Sequence, residues 1–592
     1  MARFLYRYRW QLLQLGFILL VYLLTFSLIP DFVFWSPDEG AKFVQLHTLR
    51  WEGGLTYKIP YLGQRVDPDF DFYPVLGLYP QPEPDGSVTF NWPIWFPLIS
   101  SPFFRLFGVV GLYVIPLVSG VLTAALAGRL AHRLLPQAEP MTIAVVGLTT
   151  PIFFYSLLFW EHTLATLLGI GALWQAMQIN RPGWQKWLVI IVLLISAVAL
   201  RLEMVFYAVT LLLAIGASFL LHYRQRLTSR LKFRPSGRLL LIGLIPLAAI
   251  IFFSAPNLTQ GRWLGEKEQG FIERGLERFE QSDVWGYVPY HLRGIFINAP
   301  VHFGPELPDW LAWMGLYGLA AGALAAVFLR GNVRIWVLVG ASLVVGLGSA
   351  YALLLPLRYR VIPSFFLPAP FLVFAFAFLP YAFRTRRFQT TLVAITTMLY
   401  LFVGAFAIIV GASGAGGAGL EWGPRFILTA YPLAGICAAV GTFYFYQNLS
   451  KEERQLLVII VTLLLIVGLQ YEVQGVRELQ ATKRDLVAYH NIFRSTRQPI
   501  VTDLQWLPAA LATRFTEQEI YTLVWREDFY RWLDLVHDRV GAFTFVSFEP
   551  LDPDLIDGAP YPLKVKDGQL SYGMTFTEFE IAEDNVLQIE AQ

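Results

Sequence analysis

The chain reads as a mainly α-helical, polytopic membrane protein of about thirteen transmembrane helices, closed by a small C-terminal α/β domain. Three observations predict this. Its 592 residues are 56% hydrophobic and 15% charged, with a mean hydropathy of +0.51, too apolar for a soluble protein of that length. Apolar runs near the length that crosses a bilayer recur along it. Basic residues gather between those runs in a pattern that alternates from one side to the other.

The first run, Gln11 to Ile29, follows Arg3, Arg7 and Arg9, which places the amino terminus in the cytoplasm. The run is long enough to span and has no small-residue cleavage site, so it is expected to stay as a helix. Trp35-Ser36-Pro37-Asp38-Glu39-Gly40 then sets two carboxylates just past the membrane, where an ionisable group is a functional candidate. The same residues also make a helix start, with Ser36 as N-cap, Pro37 first and acids in the first turn. An interfacial helix is expected over Ala41 to Trp51, ended by Gly53-Gly54. A Pro-rich loop follows through Asp67, Asp69, Asp71 and Tyr73-Pro74. Phe90 to Phe107 is interrupted by Pro93, Pro97 and Pro102. It reads as a broken or re-entrant lead into the span ending at Arg129, because a full crossing would put every later basic loop outside.

With that choice Arg129 and Arg133, Arg181 and Lys186, the cluster from Arg224 to Arg238, Arg330 and Arg334, Arg384 to Arg387, and Lys451 and Arg454 all fall on the cytoplasmic side. The opposite side collects Asp38-Glu39, Glu161-His162, Arg201-Leu202-Glu203, Arg358, Arg360 and Glu421-Trp422-Gly423-Pro424-Arg425. Arg201 and Glu203 stand between two apolar runs, which is costly unless they pair or bind something charged. Glu161-His162 reads equally as an interfacial cap on two helices. Arg358 and Arg360 break the positive-inside pattern and either snorkel to headgroups or meet a lipid phosphate. A mixed-charge helix is expected from Glu266 to Arg278 in the long outer loop. Gly411 to Gly419 has no phosphate-loop pattern and reads as flexible backbone. The single cysteine, Cys437, excludes an intramolecular disulfide framework.

After Gln470 the composition becomes that of a soluble module. Helical periodicity runs from Val476 to Arg494, and Pro499 to Asp503, Ile520 to Val524 and Phe543 to Phe548 read as short buried strands of a parallel sheet. The expected domains are therefore 1–470, which includes the first outer loop 30–92, and 471–592. Asp503, Asp528 and Asp534 form no recognisable metal or nucleophile arrangement, so the second domain is expected to be non-catalytic.

This succession resembles the GT-C superfamily of membrane glycosyltransferases: a first span, an outer loop opening on Asp38-Glu39, an interface helix, a Pro-rich re-entry, many spans and an outer domain. Phe154-Tyr155-Ser156 to Trp160-Glu161-His162, Ala199 to Glu203, and Trp422 to Phe426 with Tyr431-Pro432-Leu433 are similar to patterns in its bacterial members. Those relatives include protein O-mannosyltransferases and lipid A aminoarabinose transferases; the loop insertions of the protein-mannosylating members are missing here. The resemblance covers roughly Met1 to Gln470. It implies a polyprenyl-phosphate sugar donor, a hydroxyl acceptor on a glycan, lipid or protein, inversion at the anomeric carbon, and a plasma-membrane location with the C-terminal domain extracytoplasmic. Membrane lipids are expected as partners and nucleic acid is not.

By the same resemblance Asp38 is the general base, and Glu39 orients the acceptor or holds a divalent metal; no other cofactor is expected. Glu161 and His162 complete the catalytic set. Arg425, Arg358, Arg360 and Arg201 are candidates for the donor phosphate, since guanidinium binds it bidentately. Glu203, Glu421 and His302 would support them. Two alternatives stay open: a glycan ligase or polymerase using a lipid pyrophosphate and relying on His291, Arg293 and His302, and a lipid or polysaccharide transporter, which more often shows internal repeats.

Overall fold

The computed structural model describes residues 2–51, 55–57, 59, 61–74, 80–82, 88–90, 93–178, 184–227, 284–298, 307–355, 364–411, 422–495, 498–510, 512–515, 517–525, 528–571 and 574–581. Seven helices among them are long and apolar enough to cross a bilayer, and Trp184–Leu200, Pro370–Thr385 and Ala430–Tyr446 are shorter apolar segments. The chain is a multi-pass membrane protein, and the described residues do not account for all thirteen expected spans.

The chain divides into two compact units. Among the described residues the first holds 2–28 and 113–478. It is built of packed helices: Val114–Leu134 against Glu139–Leu148 and His162–Ala176, Met204–Leu227 against Phe388–Gly411, and Asp309–Phe328 against Val333–Leu354. Helices at its rim turn apolar side chains outward; Leu13, Phe17, Leu20 and Leu24 of Ala2–Phe26 are exposed, as a lipid-facing stripe requires. Ala430–Tyr446 is instead buried on nearly every face, the mark of a helix inside a bundle.

The second unit holds 29–112 and 479–581 of the described residues. Its sheet has the order β6-β5-β7-β9-β8. Strands β5 (Ile500–Thr502), β6 (Ile520–Thr522) and β7 (Ala542–Ser547) are parallel, whereas β8 (Leu563–Ser571) and β9 (Met574–Ile581) join antiparallel. The sheet is therefore mixed and not wholly parallel as expected; the last two strands are a hairpin, which needs no crossover. Helix Asp528–Val536 buries Phe529, Trp532, Leu533 and Val536, the i, i+3, i+4, i+7 spacing of one face, and Trp532 meets Phe543 of β7 edge-on at 4.8 Å. Two small hairpins, β1/β2 (Leu49–Trp51, Leu55–Tyr57) and β3/β4 (Pro80–Pro82, Val88–Phe90), lie in the first loop.

That loop is built into the sheet domain. Thr522 N–H donates to Phe72 O (3.0 Å), Tyr73 packs on Phe515, and Val33 shares a core with Leu486, Phe493, Ile500 and Phe576. The domain expected over 1–470 includes this loop, whereas residues 29–112 fall in the same compact unit as the sheet. Helical pattern at Val476–Arg494 is the end of one 45-residue helix, Lys451–Ser495, so the composition change at Gln470 falls inside an element. The helix expected over Ala41–Trp51 runs instead from Pro37 to His47 and is buried from Asp38 to Leu46, with Leu49–Trp51 a strand. The prolines do not interrupt the segment as expected, since helix Trp95–Phe107 runs through Pro97 and Pro102; the break before helix Val114–Leu134 comes at the 3-10 turn Gly108–Tyr113, where Gly108 has φ 62°.

Candidate active site

In the second unit the acidic motif folds as a capping box. Ser36 Oγ accepts from Glu39 N–H (3.3 Å), while Glu39 Oε2 accepts from Trp35 N–H (2.8 Å) and Ser36 N–H (3.3 Å). Glu39 is thus spent largely on holding the helix start, and Asp38, one residue earlier, is buried beside it. Gly40 explains the third letter of the motif: a Cβ there would lie 1.6 Å from Ala509 O, so only glycine lets this helix meet Leu507–Ala510. Lys42, Gln45 and Lys483 are buried nearby in the same unit, and Lys483 feels the charges of Glu39 and Asp31. Lys42, three and four residues past the acids, was findable from helical spacing; Lys483 comes from a distant helix that no local pattern links to them.

In the first unit Glu161-His162, Arg201, Glu203 and Arg425 come together. Glu161 precedes helix His162–Ala176 and makes no side-chain cap. Its Oε1 accepts instead from Arg201 Nη1 at 2.8 Å, so the interfacial-cap reading gives way to an ion pair. Arg201 also pairs with Glu203 and lies 3.0 Å from His162 Nδ1. Arginine only donates, so Nδ1 accepts and the ring proton sits on Nε2. Arg201 and Arg425 share one aromatic ring: their guanidinium carbons are 5.9 and 5.3 Å from the Phe426 centroid, and Arg425 is also 5.1 Å from that of Trp160.

The scaffold that fixes these groups is aromatic. Tyr155 stacks on Trp160 and His162, accepts from Trp422 N–H (3.1 Å) and donates to Gly423 O (3.3 Å), tying the 155–162 segment to the one bearing Arg425. Gly423 sits at φ 69°, and a Cβ would meet Tyr431 Oη at 2.4 Å. Helices His162–Ala176 and Ala430–Tyr446 start here, joined by Thr166 Oγ1 to Thr429 Oγ1 at 3.1 Å. Two helix N-termini with a guanidinium between aromatic rings favour an anion. Glu472, fully buried and turned to Trp422 and Phe154, is not singled out from sequence, since it falls between the composition change at Gln470 and the helical periodicity that begins at Val476.

Arg358, Arg360, Glu421 and His302 lie outside the described residues, as do Glu266 to Arg278 and most of the glycine run. Arg293 is buried and donates to Asp309 Oδ1 at 2.6 Å between Tyr290 and Trp313. Among the described residues no group of three or more His, Cys, Asp or Glu could hold a metal ion.

No family model matches the sequence, and no curated protein matches it. Solved structures with a similar fold include ArnT from Cupriavidus metallidurans bound to undecaprenyl phosphate, at 11% identity and a TM-score of 0.45 over 96% of this chain and 98% of that one. The oligosaccharyltransferase AglB from Archaeoglobus fulgidus, in complex with an inhibitory peptide and a dolichol-phosphate, matches at 11% identity and a TM-score of 0.47 over 91% of this chain and 70% of that one. At these identities and scores the likeness carries no functional argument.

Proposed function

We propose that the chain is a membrane glycosyltransferase that moves a sugar from a polyprenyl-phosphate donor to an extracytoplasmic hydroxyl with inversion. The carrying observation is the anion-ready pair of buried helix starts at which Arg425 stands, held between Trp160 and Phe426. The phosphate role goes to Arg425, which stands on the Trp160 and Phe426 rings beside the helix starts, and Arg201, paired with Glu161 and Glu203, fixes the wall. Arg358 and Arg360 are proposed as further phosphate contacts, and Glu421 and His302 as supporting groups.

In this reading Asp38 takes the proton of the acceptor hydroxyl as its oxygen attacks the anomeric carbon. The bond from that carbon to the phosphate oxygen breaks with its electron pair onto the departing lipid phosphate, whose charge a guanidinium such as that of Arg425 is suited to answer. Attack from the side opposite the leaving phosphate inverts the carbon. Glu39 holds the helix that carries Asp38. Glu39 is also the candidate for a divalent ion; its Oε2 already accepts from two backbone N–H groups, and among the described residues no three of His, Cys, Asp or Glu gather to complete a ligand set. His162, with its proton on Nε2, is suited to donate to a substrate oxygen and not to act as base.

The test is to give the purified full chain, reconstituted in sealed liposomes, a labelled polyprenyl-phosphate sugar and follow free lipid phosphate. Release with transfer of label to an envelope extract supports the reading. No release across a donor panel, with label crossing the bilayer, would assign transport instead.

A further inference from the structure

We propose that the carboxyl end of β5, β6 and β7 is a saccharide-binding crevice, in which a sugar ring stacks on exposed aromatic side chains and its hydroxyls bond to Asp503 and its neighbours. The site rests on the proposed transfer only in taking the bound saccharide to be part of the acceptor.

The position comes from topology. β5 lies between β6 and β7 and is parallel to both, so the chain leaves it to one side and returns to the other. Open α/β sheets hold ligands at the carboxyl ends of strands where the order switches in this way.

The residues delivered there have the chemistry of a sugar site. Asp503 directly follows β5 and Ser547 ends β7, with Ser547 Oγ donating to Asp503 Oδ2 at 2.7 Å. Thr575 of β9 pairs with Ser547, which puts its hydroxyl on the same face, and that hydroxyl has no hydrogen-bond partner among the described residues. Each parallel strand also hands one aromatic residue to this end: Trp525 beyond β6, Trp506 beyond β5 and Phe548 beyond β7. Trp506 and Phe548 lie 6.3 Å apart. Trp525 is 69% exposed and Phe548 56%, although this domain has a core into which large side chains elsewhere are packed. Trp525 is held in place by its backbone N–H, which donates to Asp528 Oδ2 (3.2 Å).

Rings that keep an apolar face open beside a carboxylate and hydroxyls match a pyranose, whose C–H face stacks while its hydroxyls donate. A carboxylate at the centre repels a phosphate, which disfavours an anionic lipid headgroup as the occupant.

The experiment uses the full chain in fluorescent nanodiscs on an array of immobilised cell-envelope glycans. A subset of glycans should capture the protein. Trp525→Ala and Asp503→Asn should each lower capture about tenfold, and Trp310→Ala, which removes an exposed tryptophan of the other unit, should leave it unchanged. Unfolding temperature checks that Asp503→Asn still folds; Trp525, being exposed, serves if it does not. Capture by no glycan, capture that both variants retain, or capture only by lipid or peptide spots overturns the proposal. Glycan capture without lipid-phosphate release keeps the crevice and removes the transferase, so the two can fail separately.

Discussion

In the helical unit the buried carboxylates Glu161 and Glu203 pair with Arg201, charge answered by charge, whereas in the sheet-bearing unit the Ser36 hydroxyl caps a helix start by accepting from Glu39 N–H. The two arrangements differ in what a mutation leaves behind. Removing one member of a buried ion set strands an uncompensated charge in a low-dielectric interior. Removing a cap exposes a backbone donor that can find another partner or water. In the proposed function Arg425, near the Trp160 and Phe426 rings, and Asp38, beside a capped helix start, are the reacting groups, and the ion set and the cap are their support.

The largest effect should come from Arg201→Leu, which removes the guanidinium that pairs with both Glu161 and Glu203. A loss of about 3–5 kcal/mol is expected in detergent unfolding, and a smaller one for Glu161→Leu, since Glu203 still answers the arginine. Equal, small losses would mean that water or lipid already solvates the site and would break the contrast. Next, Gly40→Ala should cost about 1–3 kcal/mol by forcing a methyl into Ala509 O, read out as lower protease resistance of the sheet-bearing unit. Ser36→Ala should cost about 1 kcal/mol. Glu39→Gln should retain activity, because the amide oxygen can still accept from both N–H groups, although it removes the charge that buried Lys483 feels; loss of transfer in a folded Glu39→Gln protein would move Glu39 from support to chemistry.

A pH series sharpens the comparison further. Burial, reinforced by the Asp67 carboxylate, holds the Tyr61 phenol far above its ordinary value near 10, and burial does the same for Tyr73 and, with Glu519 beside it, for Tyr521. Phenols raised in the folded state contribute stability that is complete below pH 10 and fades above it, as the unfolded chain ionises first. The unfolding temperature of the sheet-bearing unit should therefore fall above about pH 10. Tyr61→Phe should weaken that fall, and circular dichroism against pH will show it.

Much of this was legible because it is local. Ser36-Pro37 announced a helix start, three strands were visible as apolar runs before β5, β6 and β7, and Arg201-Leu202-Glu203 stood out between apolar stretches. What the sequence hid depends on distant contact. Nothing near Glu161 says that Arg201 is its partner, and nothing near Tyr155 says that its hydroxyl holds Trp422 and Gly423. β8 and β9 were missed because Leu563–Ser571 mixes Lys, Asp and Gly into a two-sided, half-exposed hairpin without a clean alternation. The first loop read as a connection because its burial is supplied by residues more than 400 positions later.

The central claim is that Asp38 accepts the acceptor proton while the groups around it only hold it in place. Transfer by Asp38→Asn tests it most directly, with donor binding measured alongside. The amide keeps size and hydrogen bonding but cannot take the proton, so transfer should fall by about 100-fold to 10,000-fold with donor binding retained. A folded, membrane-inserted Asp38→Asn protein that transfers sugar at close to the wild-type rate would contradict it and leave Asp38 as part of a helix start.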